Sequence, residues 1–172
     1  MRYLATILLL SLLGCSSDHE SIKDDFKKFI TLSDRGDSSE IGKYIPPTLK
    51  KSELEHVIKE RIATKYKTYD SIHFIEKMEI LNKKDVKYCR FKTQSFFQLD
   101  YGTWPVDPVL IKLKQRYGMD NVTPSGAYRA SIRTTEIHYA IKHDSSENWH
   151  FLDTDFSDQM ENLIPKKLME GK

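Results

Sequence analysis

The sequence predicts an α+β fold, in which a curved antiparallel sheet of about four strands packs on N-terminal helices. Apolar side chains recur every three or four positions in the first third of the chain and every second position after about residue 70, which is the change from a helical to a strand period. The predicted strands come in pairs joined by short polar turns, as antiparallel neighbours do. Helices and strands are therefore segregated along one domain of ordinary size.

The first helix of the domain is predicted from Ser21 to a turn at residues 34–37. Ser21 and Asp24 have the spacing of a capping box, and Gly36 suits the left-handed position that follows many helix ends. The apolar face of this helix comprises Ile22, Phe26, Phe29 and Ile30.

Two more helices are predicted before the sheet. A short one over residues 38–45 is stopped by Pro46 and Pro47, since proline disfavours helix both at its own position and at the one before. The other begins at Ser52, which forms a capping box with Glu55. Its apolar face comprises Leu54, Val57, Ile58 and Ile62.

The first hairpin is predicted over residues 71–99. Residues 71–81 alternate as one strand, residues 82–85 form a four-residue loop, and residues 86–99 form a long second strand. The inward apolar residues of this second strand are Cys89, Phe91, Phe97 and Leu99.

A helix separates this hairpin from a second one. Asp107 and Pro108 have the N-cap and N1 character that opens a helix, and Gly118 closes it. Strands over residues 131–142 and 149–153 then form the second hairpin, with a loop at residues 143–148. Residues 161–172 form a C-terminal tail with a short helix interrupted at Pro165.

The helical and strand apolar faces predict one shared core. Each of these faces needs burial, and both are long enough to cover one another. The predicted members are Phe26, Phe29, Val57, Ile58, Phe74, Phe91, Ile137 and Phe151.

The N-terminus is predicted to be a secretory signal. Arg2 supplies a positive charge, and the apolar run at residues 3–13 is too short to span a bilayer. Leu12-Leu13-Gly14-Cys15 resembles the lipobox of bacterial lipoproteins, which implies cleavage after Gly14 and a diacylglyceryl group on Cys15. The alternative is an ordinary signal peptide, residues 1–14, followed by a chance cysteine.

The lipoprotein resemblance also implies a location and a partner. Residues 15–20 are polar and are predicted as a tether between the lipid and a domain at residues 21–160. Ser16, directly after the cysteine, implies an outer-membrane protein that faces the periplasm or the cell surface. The lipid anchor then supplies the contact with the membrane. The chain's 27 Lys and Arg nearly balance its 25 Asp and Glu, so nucleic acid is not an expected partner.

The element order resembles the nuclear transport factor 2-like, or cystatin-like, cone-shaped domains. The resemblance is carried by the break at Tyr44-Ile45-Pro46-Pro47 and by the last strand, residues 149–153, and it covers about residues 20–160. Residues 41–47 and 117–123 also resemble small secreted proteins and lipoproteins of Bacteroidetes, whose short O-glycosylation pattern residues 70–72 match. The resemblance to the cone-shaped domains implies a cavity at the wide end of the cone. The predicted lining is Glu76, Tyr88, Phe97, Trp104 and Tyr139.

Glu76 is the inward carboxylate of this predicted pocket. It has two interpretations: a buried general acid or base, or a structural ion pair with Arg133. His138 and His150 are predicted on the faces turned away from the pocket. Trp104 either borders the cavity or plugs it, and in the second case no cavity remains.

The chain lacks the spacings of a metal site, a nucleophile elbow or a nucleotide loop, so no catalytic residue, metal or cofactor is assigned. The preferred function is a lipid-anchored module that binds a small ligand or an envelope protein. Two alternatives remain: a small isomerase, dehydratase or hydrolase that uses the cone, and a structural subunit of an envelope complex. The sequence does not predict the oligomeric state.

Overall fold

The computed structural model describes residues 2–35, 38–48, 67–152 and 162–170. The helical segments are α1 (Arg2–Arg35), α2 (Ser38–Ile41), α3 (Asp107–Tyr117) and α4 (Lys166–Met169), with 3₁₀ turns at Gly42–Tyr44 and Met119–Asn121. The strands are β1 (Lys67–Phe74), β2 (Glu79–Lys83), β3 (Val86–Asp100), β4 (Val122–Pro124), β5 (Arg129–His143) and β6 (His150–Leu152). Within these ranges no helix combines the length and the apolar character needed to cross a bilayer.

A curved, open antiparallel sheet organises the domain and confirms the predicted α+β class. Its two long central strands, β3 and β5, pair along their whole length, from Val86 opposite His143 to Asp100 opposite Arg129. β1 and β2 lie end to end along the outer edge of β3 and both pair with it. β4 and β6 pair with the outer edge of β5. The described sheet therefore has six strands rather than about four.

The additional strands have simple origins. The single strand expected at residues 71–81 is split, because β1 pairs with the far half of β3 and β2 with the near half, and Glu76 and Lys77 lie exposed between them. The hairpin loop has two residues, not four, since Lys83 still pairs with Val86. β4 is three residues long and ends in a proline, so its sequence carries no strand period.

Helix α1 begins well before Ser21, so the predicted capping box lies inside a continuous helix. Residues 15–20, predicted as a tether, are helical, because this stretch contains no proline or glycine to interrupt the backbone. The carboxylate of Asp18 binds Lys87 Nζ at 2.9 Å and joins this part of the helix to β3. The predicted apolar face of α1 is confirmed, with Ile22, Phe26, Phe29 and Ile30 all buried.

The main core lies between α1 and one face of the sheet. Four predicted members, Phe26, Phe29, Phe91 and Phe151, are buried together, and Phe74 packs half-buried against them. The prediction for Ile137 is wrong, because it lies on the opposite face of the sheet in a cluster under α4. Val57, Ile58 and the rest of the third predicted helix, like Gly36, lie outside the described residues.

The far half of the same sheet face is covered by α3. Leu113 on this helix packs with Phe97, Val122 and Ile132, so the predicted helix at residue 107 is confirmed and acts as a second layer over the sheet. α1 and α3 thus divide one sheet face between them, while the short α4 packs against the other face.

The face assigned to β5 from sequence is wrong by one residue. His138 lies opposite Phe91 and points into the α1 core, where it is buried, whereas Tyr139 faces the cluster under α4. The face assigned to β3 is confirmed for Cys89, Phe91 and Phe97. Since paired residues of neighbouring strands share a face, the register with β3 determines the face of every β5 residue.

Candidate functional site

An open polar pocket of about 280 Å³ lies where the end of α3 meets β5. Its lining comprises Arg116, Tyr117, Asn121, Arg133, Thr134 and Thr135. The described lining residues carry two guanidinium groups, one amide and one phenol, and the neighbouring threonines Thr134 and Thr135 point to opposite faces of the sheet.

The turn after α3 shapes one wall of the pocket. Gly118 has a φ of +97° and ends the helix, with its N–H donating to the carbonyl of Lys114 at 2.9 Å. A Cβ at this position would approach Asn121 Nδ2 at 3.1 Å, so glycine lets Asn121 lie close under the helix end. The amide of Asn121 donates to the carbonyl of Tyr117 at 2.8 Å, which fixes the turn.

The same amide positions one of the arginines. Arg133 Nε donates to Asn121 Oδ1 at 3.1 Å. Asn121 thus bridges the end of α3 and the side chain of Arg133, and the bond uses only the inner nitrogen of the guanidinium. The two outer nitrogens are the ones that make paired hydrogen bonds to carboxylate or phosphate oxygens.

The pocket has an excess of positive charge. Among the described residues, neither Arg116 nor Arg133 has a carboxylate within salt-bridge distance. By contrast, Arg129 on the same strand pairs with Asp100 at 2.8 Å, and Arg90 lies 3.7 Å from Glu79. Two unneutralised guanidiniums beside Thr134 and Thr135 form a site that can hold an oxyanion.

The structure does not bring the five predicted pocket residues together. Tyr88 and Tyr139 lie with the cluster under α4, and Phe97 is buried under α3. Trp104 precedes α3 and is 76% exposed, so it neither plugs a cavity nor borders this pocket.

Glu76 lies in the β1–β2 connection, and its predicted inward orientation is wrong. Its side chain is exposed and pairs with Lys92 Nζ at 2.7 Å. The alternative partner, Arg133, bonds Asn121 instead. The alternation failed here because the connection is not part of a strand.

A buried polar pair on the α1 face resembles a catalytic pair at first sight. Thr93 Oγ1 lies 2.9 Å from His138 Nε2. Thr93 is fully buried, and Glu136 approaches the same nitrogen at 3.9 Å rather than the other ring nitrogen, where an orienting acid of a triad would bind. The imidazole also packs on Phe26 and Phe91, so the pair satisfies polar atoms within the core.

Cys89 is a packed core residue, in agreement with its predicted role as a small hydrophobe. Burial, together with the nearby carboxylates of Asp18 and Glu79, raises the pKa of the Cys89 thiol to about 12. A thiol with so high a pKa is a poor nucleophile at neutral pH.

None of the five predicted lining residues lies in this pocket, and Arg133 was expected from sequence only as a possible ion-pair partner of Glu76. The pocket residues Arg116, Asn121, Thr134 and Thr135 were not predicted as site residues. Arg116 carries no distinguishing signal, since a cation in the last turn of a helix is common. The polar run at residues 133–135 is the signal that points to an open site.

Comparisons with known protein families, curated proteins and solved structures identify no relative of this chain. The described residues contain no group of three or more histidine, cysteine or acidic side chains that could hold a metal ion. The resemblances to lipoproteins and to cone-shaped domains stay predictions.

Proposed function

We propose that the protein is a lipid-anchored module that binds a small ligand through an oxyanion group, a phosphate, sulfate or carboxylate, in the pocket of Arg116 and Arg133. The observation that carries this proposal is the pair of guanidiniums in one open pocket that have no carboxylate partner among the described residues. Arginine recognises such groups with two parallel hydrogen bonds, and a threonine hydroxyl of the lining can supply a further donor.

The location is the second part of the proposal. Leu12-Leu13-Gly14-Cys15 places a lipid on Cys15, and Ser16 favours the outer membrane. The domain then faces the periplasm or the cell surface as a cone-like unit, with the curved sheet wrapped on α1. Mass spectrometry of protein from native membranes tests the anchor, since an acylated N-terminal Cys15 is expected and an intact residue 1–14 segment contradicts it.

Titration calorimetry of the purified full chain in detergent tests the ligand class. Phosphate, sulfate and acetate are added in turn at constant ionic strength, with chloride as the reference anion. We expect saturable binding of at least one oxyanion, weakened about tenfold or more in Arg133→Gln and in Arg116→Gln because each loses a charge-assisted hydrogen bond.

Arg129→Gln is the matched control, because Arg129 is an exposed arginine of the same strand outside the pocket. It should leave oxyanion binding unchanged. Equal weakening in Arg129→Gln and Arg133→Gln would indicate diffuse electrostatic attraction and contradict a pocket, as would the absence of binding by all three anions.

A protein-binding role is the second candidate, because large apolar side chains are exposed near the far end of the sheet. The segment that carries exposed Trp104 lies beside the one that carries exposed Tyr128, since the backbone of Tyr101 bonds Tyr128 and that of Val106 bonds Ala127. Exposed tryptophan and tyrosine are typical of protein interfaces. The enzyme alternative has less support, since the described lining of the pocket contains no carboxylate, imidazole or thiol.

A further inference from the structure

Helix α1 runs along the sheet in the same direction as β3. About halfway along α1, Asp18 binds Lys87 in the first residues of β3. Near its end, Asp34 Oδ2 accepts a hydrogen bond of 3.4 Å from the N–H of Tyr69, which lies opposite Phe97. The part of α1 that contains Cys15 therefore lies at the end of the sheet where β3 begins.

The hairpin loop of β2 and β3 extends a few ångströms beyond Cys15 at this end of the sheet. Cys15 precedes Asp18 by three helical positions, a rise of about 4.5 Å. Lys84 precedes Lys87 by three positions, a strand length of about 10 Å. The loop thus extends about 5 Å further from the Asp18–Lys87 pair than Cys15 does.

The neighbouring loop belongs to the same surface. The N–H of Asp144, directly after β5, donates to the carbonyl of Asp85 at 2.9 Å. The β5–β6 loop is held closed by Lys142 Nζ, which donates to the carbonyl of Glu147 at 2.8 Å. Lys83, Lys84 and the two aspartates are exposed, so this surface is polar and of mixed charge.

We propose that this surface, residues 83–87 and 142–148, lies against the headgroup layer of the membrane that holds the lipid anchor. The inference rests on the proposed lipidation of Cys15. A lipid on Cys15 places that residue at the bilayer interface. Because Asp18, three residues later in the same helix, is bound to Lys87, the connection is too short for the domain to move away from the membrane. The mixed charge suits zwitterionic headgroups such as phosphatidylethanolamine, and the covalent anchor rather than net attraction provides the contact.

This orientation sets the height of the oxyanion pocket. Arg133 pairs with Phe96, ten positions along β3 from Val86, which corresponds to about 33 Å. A pocket at that height is out of reach of the headgroups of the same bilayer. Its ligand is therefore a solute or an extended polymer in the aqueous compartment, not a lipid of the anchoring membrane.

Fluorescence quenching on vesicles tests the orientation. The lipidated full chain is reconstituted in phosphatidylethanolamine and phosphatidylglycerol vesicles that contain a headgroup-labelled quencher lipid. An environment-sensitive fluorophore is attached in separate variants at Lys84→Cys and at Ser125→Cys, an exposed position at the opposite end of the sheet. We expect loss of most of the emission at position 84 and no loss at position 125.

A longer tether provides the matched control. Insertion of about ten Gly and Ser residues between Ser17 and Asp18 interrupts the helix and frees the domain. Quenching at position 84 should then largely disappear while the protein stays on the vesicles. Quenching that survives the insertion would show that the contact does not depend on the short docked connection and would overturn the inference.

The outcomes separate this inference from the proposed function. Equal quenching at positions 84 and 125, or none at either on a protein that floats with the vesicles, overturns the orientation and leaves the lipid anchor intact. A protein that does not float and carries no acyl group on Cys15 overturns both. Calorimetry on the oxyanion pocket is independent of all these results.

Discussion

His150 shows how a single buried residue makes folding depend on pH. Its ring lies on the α4 face of the sheet opposite Ile141, and Nδ1 has no hydrogen-bond partner in the part of the chain that the structure describes. Burial lowers the pKa of His150 from its usual 6.5, and His143 and Lys142 lower it further, while the carbonyl of Ile141 and the charge of Asp25 partly oppose this. The folded protein therefore prefers the neutral imidazole.

The consequence for stability follows from linkage. As the pH falls below 6.5, the unfolded chain takes up the proton of His150 before the folded chain does, so the free energy of unfolding decreases. We expect His150→Gln to lose part of this decrease, measured by urea unfolding between about pH 7.5 and about pH 5. His73→Gln, at an exposed site, is the control. An unchanged pH dependence in His150→Gln would contradict the prediction.

Residue types predicted some local roles and missed others. The sequence indicated that Cys89 packs in the core, because a small hydrophobe suits an alternating apolar strand. It assigned Glu76 to the interior by the same alternation, yet Glu76 lies where the chain leaves the sheet. Periodicity describes a residue only while the strand continues, and the end of a strand is the least visible feature of a sequence.

At the scale of elements, Asp25 joins α1 to the second hairpin. Its Oδ2 accepts a buried hydrogen bond of 3.1 Å from the backbone N–H of Trp149, just before β6. The contact spans most of the chain and fixes the helix relative to the sheet. The indole of Trp149 is fully buried in the same core.

We expect Asp25→Ala to reduce the free energy of unfolding by about 1–3 kcal/mol, because the N–H of Trp149 is left buried without an acceptor. Asp25→Asn should lose less, since its amide oxygen can still accept the bond. Asp24→Ala is the matched control, as Asp24 is the exposed neighbour on the same helix. The three variants are compared by urea unfolding, and equal losses in Asp24→Ala and Asp25→Ala would argue against the buried bond.

Elements were predictable where one face meets water. α1 and α3 have an apolar face and a polar face, so their periods predicted both existence and orientation. β5 is covered on both faces. Ala140 packs in the core under α1, and Tyr139 and Ile141 pack on the opposite face in the cluster under α4. A strand buried on both sides loses its alternation, so the sequence could not indicate which face is which.

At the scale of the whole molecule, an aromatic cluster joins the main layers. Phe91 in β3 contacts Phe26 of α1 at 5.0 Å between ring centroids, Phe74 of β1 at 5.4 Å and Phe151 of β6 at 6.3 Å. The side chain of Phe91, in the centre of the sheet, therefore contacts the helix and an outer strand on each edge of the sheet. Aromatic edge-to-face contacts add to the stabilisation from buried area.

We expect Phe91→Ala to reduce the free energy of unfolding by about 3–5 kcal/mol, because the cavity lies between several elements that cannot all collapse into it. Chemical denaturation followed by circular dichroism measures the loss. Phe96→Ala on the same strand is the control, since Phe96 is half-buried on the other face and should cost clearly less. Similar losses at the two positions would show that the α1 core is not the dominant one.

The sequence by itself determined the α+β class, the apolar faces of α1 and α3, the inward face of β3 and the phenylalanines of the main core. These depend on local periods and on proline and glycine punctuation, which act within a few residues. Only the tertiary structure decided the register of β5, the division of the first outer strand and the meeting of Arg116 with Arg133. Those features depend on which distant segments pair. The pairing energy comes from contacts between two strands, so the sequence of one strand alone does not predict it.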